Sequence, residues 1–192
     1  MSILPRMQDF GEGKMTAGRI VVRKADRKDG AAFADLVRSL AEYERLPLPE
    51  DEQLRRIREH AFGRKKLFEL LIAYSGKEAV GYTVFFMTYS TFLAMPTLFI
   101  EDIFVREEFR RSGAGSSMFL KLIGIAKRRK CGRIEWMVLS WNNLAIGFYE
   151  RIGGKRLEGW LPFRLIEGDF SGAEETLRRR LGRKPTGAEG EI

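Results

Sequence analysis

Apolar positions change period several times along this chain, and each change marks a predicted element. Ile20-Val21-Val22 is a short run of β-branched residues that predicts a strand. Beyond Asp29, Phe33, Leu36, Val37, Leu40 and Ala41 recur at helical spacing, and Glu50 to Ala61 predicts a second helix after the Pro47/Pro49 turn. Leu67 to Tyr74, Ala79 to Tyr89 and Thr97 to Val105 read as three consecutive strands. Ser75-Gly76-Lys77-Glu78, between the first two, suits an antiparallel hairpin. Met118, Leu122 and Ala126, with Phe119 and Ile123 beside them, stripe one side of a helix, and Arg133 to Leu139 returns as a strand. Asn142-Asn143 offers an N-cap to a helix through Ile152, and Gly153-Gly154 ends it. Leu144, Phe148 and Ile152 of that helix are expected on its core face. A last strand is expected from Leu161 to Glu167. The order β-α-α-β-β-β-α-β-α-β predicts an α/β fold, a mixed and mostly antiparallel sheet with helices on both faces, over residues 19–170.

The ends read differently. Residues 1–18 are polar and periodless and are expected to be a flexible segment, with Met15 as an alternative start to Met1. Residues 171–192 turn to Glu, Arg, Lys and Gly, a composition that buries no core. A flexible tail is expected there, helical at most through Glu174 to Leu181.

Composition narrows the function classes. With 192 residues, 44% of them hydrophobic, the chain is long enough for one buried core. The apolar run around Thr83 to Met87 falls far short of the ~20 residues that span a bilayer, so no membrane association and a cytoplasmic location are expected. One cysteine and one histidine, Cys131 and His60, exclude a disulfide framework and a Cys/His zinc site, and no metal is expected. Cys131 follows Arg128-Arg129-Lys130 at a helix end with no histidine nearby, a poor setting for a nucleophile. The net charge of +8 suits nucleic acid or a phosphorylated cofactor. Its sharpest cluster, Lys127 to Lys130, falls in the last turn of a predicted helix, where cations meet the negative dipole end, and no nucleic-acid reader motif accompanies it.

The chemistry-bearing stretch is Arg110-Arg111-Ser112-Gly113-Ala114-Gly115, with Ser116 after it, between a predicted strand and a predicted helix. A glycine-bearing turn at a helix start exposes N–H groups at the positive dipole end, a seat for phosphate. The pattern is neither of the common nucleotide fingerprints, because no Lys-Ser/Thr follows and Met118 stands where a third glycine is required. Upstream, Glu101-Asp102 interrupt an apolar strand; adjacent carboxylates there point to opposite faces, so at least one is expected to be partly buried. Downstream, Tyr149 sits at the edge of a helical apolar stripe, where a tyrosine also serves plain packing.

Strand, Arg-x-x-Gly-x-Gly turn and helix, followed by Trp141-Asn142 and Phe148-Tyr149, resemble the Gcn5-related N-acetyltransferase superfamily. Leu40-Ala41-Glu42-Tyr43-Glu44, Ile100 to Val105 and Glu158-Gly159-Trp160 are similar to its diamine and thialysine branch. The resemblance implies transfer of an acetyl group from acetyl-CoA to a primary amine of a small molecule, by direct attack in a ternary complex. It implies a pyrophosphate seat at Arg110 to Ser116, pantetheine pairing at Phe104-Val105 and a cofactor contact from Asn142. Glu101 is implied as the proton path from the amine, and Tyr149 as the acid that protonates the leaving thiolate. Tyr43, Glu44, Ser90, Phe92, Glu101, Asp102 and Trp160 are implied at the acceptor. Tyr89-Ser90-Thr91 lacks the carboxylate that polyamine-acetylating members carry, which implies a lysine-like acceptor over spermidine. A homodimer is implied as well. Protein lysine or N-terminal amines remain alternative acceptors, and a basic nucleic-acid module is the other class.

Overall fold

The computed structural model describes residues 18–182; the expected flexible N-terminal segment and the end of the expected tail lie outside them. The chain divides into two compact units, Met1–Leu139 and Ser140–Ile192. Each is taken by itself.

The first unit is built on a five-stranded sheet in sequence order: β1 (Ile20–Lys24), β2 (Glu69–Ser75), β3 (Glu78–Ser90), β4 (Met95–Val105) and β5 (Arg133–Trp136). The first three pairings are antiparallel and β4–β5 is parallel, which is the mixed, mostly antiparallel sheet expected. The β2–β3 hairpin turns where the sequence indicated, with Gly76 taking the left-handed φ of +61°. Between β1 and β2 lie α1 (Gly30–Glu44) and α2 (Asp51–Phe62). They bury Phe33, Leu36 and Ala61 against Leu70, Ile72, Tyr82, Val84 and Phe104 on one face of the sheet. The helix α3 (Ala114–Arg128) serves the opposite face, and Met118, Leu122 and Ala126 of its stripe are all buried. Gly81 is a close-approach position: a Cβ there would stand 2.5 Å from the Phe104 carbonyl oxygen across the β3–β4 ladder.

Charge is used to pin these elements. Arg129, from the cluster after α3, makes a two-pronged ion pair with Glu69 on β2. Asp29, the residue before α1, makes no side-chain cap to it. Its carboxylate is taken by Arg23 at 2.6 and 2.7 Å, by the Tyr74 hydroxyl at 2.6 Å and by the Asp26 N–H at 2.7 Å, while Asp26 caps the preceding 3₁₀ turn. These partners hold the buried Asp29 at about 2, the Arg23 hydrogen bond being the largest cause and desolvation opposing it. A depressed folded pKa adds stability above the unfolded value of ~3.9, and that stability is lost as pH falls through the folded value. Asp29→Asn is accordingly expected to lower unfolding stability at pH 7 by about 2 kcal/mol, and by progressively less toward pH 2. Urea melts of both proteins at pH 7 and pH 3 check it: an equal loss at the two values would remove the ion pair from the explanation.

Two strand expectations need correction. β5 ends at Trp136 instead of Leu139. Leu161 to Glu167 forms no strand: residues 161–166 are irregular and lead into a 3₁₀ turn at Glu167. Its alternation is real, but no strand pairs with it, and Leu161, Phe163 and Leu165 are 78%, 94% and 60% exposed. Alternation specifies a face; only a partner strand makes the element.

The second unit holds α4 (Asn143–Arg151) and α5 (Phe170–Arg180). Asn142 caps α4 as expected, its Oδ1 accepting the Ala145 N–H at 3.2 Å. Of the stripe expected on the core face, Phe148 is half-buried, whereas Leu144 and Ile152 are exposed.

Candidate active site

The first feature is an interruption of β4. Val84 pairs with Asp102 and Phe85 with Ile100, so Glu101 is an extra residue, a β-bulge, in the ladder. Parallel pairing with β5 runs only from Thr97 to Ile100. Past the bulge, the stretch ending at Phe104-Val105 has no β5 partner, and that edge is shaped to take an extended ligand by strand-like hydrogen bonding. Such irregularities re-aim side chains next to active sites.

The two carboxylates part there as the alternation required. Glu101 is exposed and Asp102 is partly buried. The Tyr82 hydroxyl donates to Asp102 Oδ2 at 3.2 Å, and the Thr83 hydroxyl donates to the Asp102 carbonyl at 2.8 Å. Burial pushes the Asp102 carboxyl up to about 6; the Glu101 charge adds to this, the Tyr82 hydrogen bond opposes it, and Glu44 adds a smaller share. Burial also raises Glu44, and burial with the Asp102 charge raises Tyr82. The result is a small acidic group walled by aromatics: Phe104 lies 6.3 Å from both the Tyr82 and the Tyr43 rings, centroid to centroid. Tyr82 is the participant that sequence reading misses, because nothing local marks a strand tyrosine as the partner of a carboxylate twenty residues on.

The loop after β4 is the second feature. Arg111 and Gly113 both take left-handed backbone, φ +65° and +89°, and a turn of this kind forms an anion-binding concavity. Gly113 is the N-cap of α3 and brings no side-chain oxygen; the nearest, Ser112 Oγ, is 3.4 Å from the Ala114 nitrogen. A Cβ added at Gly113 or Gly115 would meet nothing within 4 Å, so both glycines border open space that a ligand can enter. Ser116 is exposed in the first turn of α3. Amide-rich backbone, a helix start and cleared space fit a pyrophosphate. Arg110 is committed elsewhere: its guanidinium stacks on the Tyr43 ring at 4.4 Å and pairs with Glu107 at 3.7 Å. It ties the loop to the end of α1, beside the acidic group.

Ser90 and Phe92 are not brought to Glu101. Ser90 is a turn residue whose hydroxyl accepts the Leu93 N–H at 3.3 Å, and Phe92 stands 99% exposed at the tip of the β3–β4 hairpin. Ser90 pairs with Met95, six residues along β4 from Glu101, which at ~3.3 Å per residue is about 20 Å. Neither residue lines one small pocket with the carboxylates.

In the second unit, Tyr149 lies in the second turn of α4 with its ring 5.6 Å from that of Phe148. Burial pushes its hydroxyl up to about 12, so it carries its proton at neutral pH. Asn142 spends its Oδ1 on the α4 cap. Trp160 is 76% exposed.

Comparison with known proteins agrees with this geometry. Residues 32–154 match the model of the acetyltransferase (GNAT) family. The thialysine N-epsilon-acetyltransferase of Sus scrofa is 31% identical over 161 residues, covering 78% of this chain and 94% of that protein. The L-ornithine N5-acetyltransferase of Arabidopsis thaliana is 41% identical over 97 residues, 50% of this chain and 42% of that protein. Among solved structures, an integron cassette protein from the mobile metagenome of V. cholerae superposes with a TM-score of 0.72 at 18% identity, covering 81% of this chain and 98% of that one. An opened β4 beside a glycine-bearing loop at a helix start, together with a family match over most of the chain, identifies it: the protein belongs to the acetyltransferase (GNAT) family and is an N-acetyltransferase.

Proposed function

We propose that this enzyme moves the acetyl group of acetyl-CoA to the side-chain amine of a small amino-acid-like acceptor, thialysine and ornithine being the models. The observation that carries the reading is the Glu101 bulge, which sets a carboxylate pair beside a strand edge that lacks a β5 partner. When bound, acetyl-CoA supplies the acyl group as a thioester; Arg111 to Ser116 would hold its pyrophosphate and the Phe104-Val105 edge its pantetheine.

The acceptor's problem is its proton. An alkyl amine with a reference pKa of ~10.4 is neutral in only about one molecule in two thousand at pH 7. Asp102 and Glu44 attract the ammonium, and the exposed Glu101 offers a path for the proton to solvent through water. Tyr149 is the donor in this reading, protonated at neutral pH and placed by the resemblance where the thiolate leaves. Attack is direct in a ternary complex, and the resemblance extends to a homodimer working in the cytoplasm.

The acceptor is tested by thiol release from acetyl-CoA against thialysine, ornithine, lysine, spermidine and a lysine-bearing peptide. The expected result is a kcat/KM for thialysine or ornithine about tenfold or more above that for spermidine, a difference of about 1.4 kcal/mol in transition-state binding. A peptide that outperforms all the small amines would overturn the reading.

A further inference from the structure

A second concavity lies away from the acetyl-transfer elements. It is a groove of about 700 Å³ between the 3₁₀ turn at Arg27–Asp29, the start of α1 and the end of α2, and no residue of the 110–116 loop lines it. Arg27, Lys28, Arg58 and Arg64 border it, with Phe62 and Gly30 between them. None of these four cations makes an ion pair among the described residues. Two further lining residues, Arg55 and Glu59, pair at 3.3 Å, and Arg55 is shared with Glu52 at 2.7 Å. Asp29 is turned to Arg23 and Tyr74, and the exposed Asp26 accepts the Lys28 N–H at 2.7 Å. The groove therefore carries a surplus of positive charge, Arg27, Lys28, Arg55, Arg58 and Arg64 against Glu59 in its lining, which Glu52 and Asp26 nearby reduce without cancelling.

Its walls are built closely around that charge. A Cβ on Gly30 would stand 3.3 Å from Cδ of Arg58 and 3.8 Å from the Phe62 ring, so the missing side chain lets both residues lie against the start of α1. A partly buried aromatic ring among arginines offers a flat face as well as hydrogen-bond donors. Volume decides between occupants. About 700 Å³ lies in the range of small-molecule sites, and the arginine fork matches phosphate oxygens two at a time.

We propose that this groove binds a small polyphosphorylated ligand, separately from the cofactor of acetyl transfer. A nucleoside triphosphate and an inorganic polyphosphate share the required chemistry, a chain of phosphates across Arg27, Arg58 and Arg64; only the nucleotide would also use the Phe62 ring.

The test is calorimetry on the full chain with coenzyme A held saturating, so that the glycine loop is occupied, titrating tripolyphosphate and, separately, ATP. Binding below about 100 µM at low salt is expected for at least one of them. The Arg27→Gln/Arg58→Gln/Arg64→Gln variant should weaken it by about tenfold or more while coenzyme A affinity and acetyl transfer hold. Ala31→Glu is the second variant: it puts a carboxylate into the groove at an exposed first-turn position of α1 where an acid suits the helix, so loss of binding there is not loss of fold. ATP tighter than tripolyphosphate assigns the nucleotide, and equal affinity assigns the phosphate chain alone. The proposal is overturned if neither anion binds or if both variants bind as the parent does. A single-stranded oligonucleotide that binds through the same arginines far more tightly than either anion, with a steep salt dependence, would also overturn it and make the groove part of a nucleic-acid path.

Discussion

Tyr149→Phe is expected to lower the rate of the acetyl-transfer step by about 10²–10⁴-fold, the usual worth of a positioned proton donor, while acetyl-CoA affinity changes little. The substitution removes one hydroxyl and leaves the ring that packs beside Phe148, so α4 has no reason to unfold. The hydroxyl is a donor at neutral pH because burial holds its pKa near 12, far above the working range. Single-turnover kinetics is the measurement, since slow product release would mask the chemical step in steady state. An unchanged single-turnover rate would leave Tyr149 a packing residue and return the search for the acid to other groups.

Gly115→Val is expected to weaken acetyl-CoA binding by about 100-fold, near 2.7 kcal/mol, with the fold intact. The two glycines of the loop are not equivalent tests. Gly113 has φ +89°, where any side chain strains the backbone, so a substitution there mixes local damage with ligand exclusion. Gly115 lies within α3, its missing Cβ facing open space. Valine is no worse a helix former than glycine, and on the proposed reading it fills volume that the pyrophosphate would take. Calorimetry with acetyl-CoA and far-ultraviolet circular dichroism separate the two effects. Parental affinity in Gly115→Val would move the pyrophosphate away from this loop.

What the sequence makes legible follows the range of the interaction involved. The α3 stripe and the β2–β3 turn are local, and both appear where periodicity and turn chemistry put them. The glycine loop is local too. The carboxylate pair was visible as an anomaly, but which member is buried depends on the register of β4 against β3, and that register has a bulge no local pattern announces. Ser90 and Phe92 show the same dependence on the ladder, which carries them to the β3–β4 hairpin, away from Glu101. The partners of Asp29 were not legible either. Those partners, Arg23 on β1 and Tyr74 on β2, are set by the sheet. The strand expected at residues 161–167 does not form, because pairing is a property of two segments.

The extra residue in β4 also acts as a frameshift in the strand. Directly opposed residues share a face of the sheet, so the even-numbered Tyr82, Val84 and Phe86 of β3 lie on one face, where Tyr82 and Val84 pack with Phe33 and Leu36 of α1. Their partners on β4 are Phe104 and Asp102 on one side of Glu101, but Phe99 on the other. Parity inverts at one position, and this sends the buried Ile100 and Leu98 to the face served by α3. The Glu101 side chain is exposed, and its backbone adds a residue to β4 without adding a paired position to the ladder. Deleting Glu101 would leave Asp102 opposite Val84 and Ile100 opposite Phe85, a regular ladder that keeps both hydrophobic layers and loses only the carboxylate and the local bend of the strand.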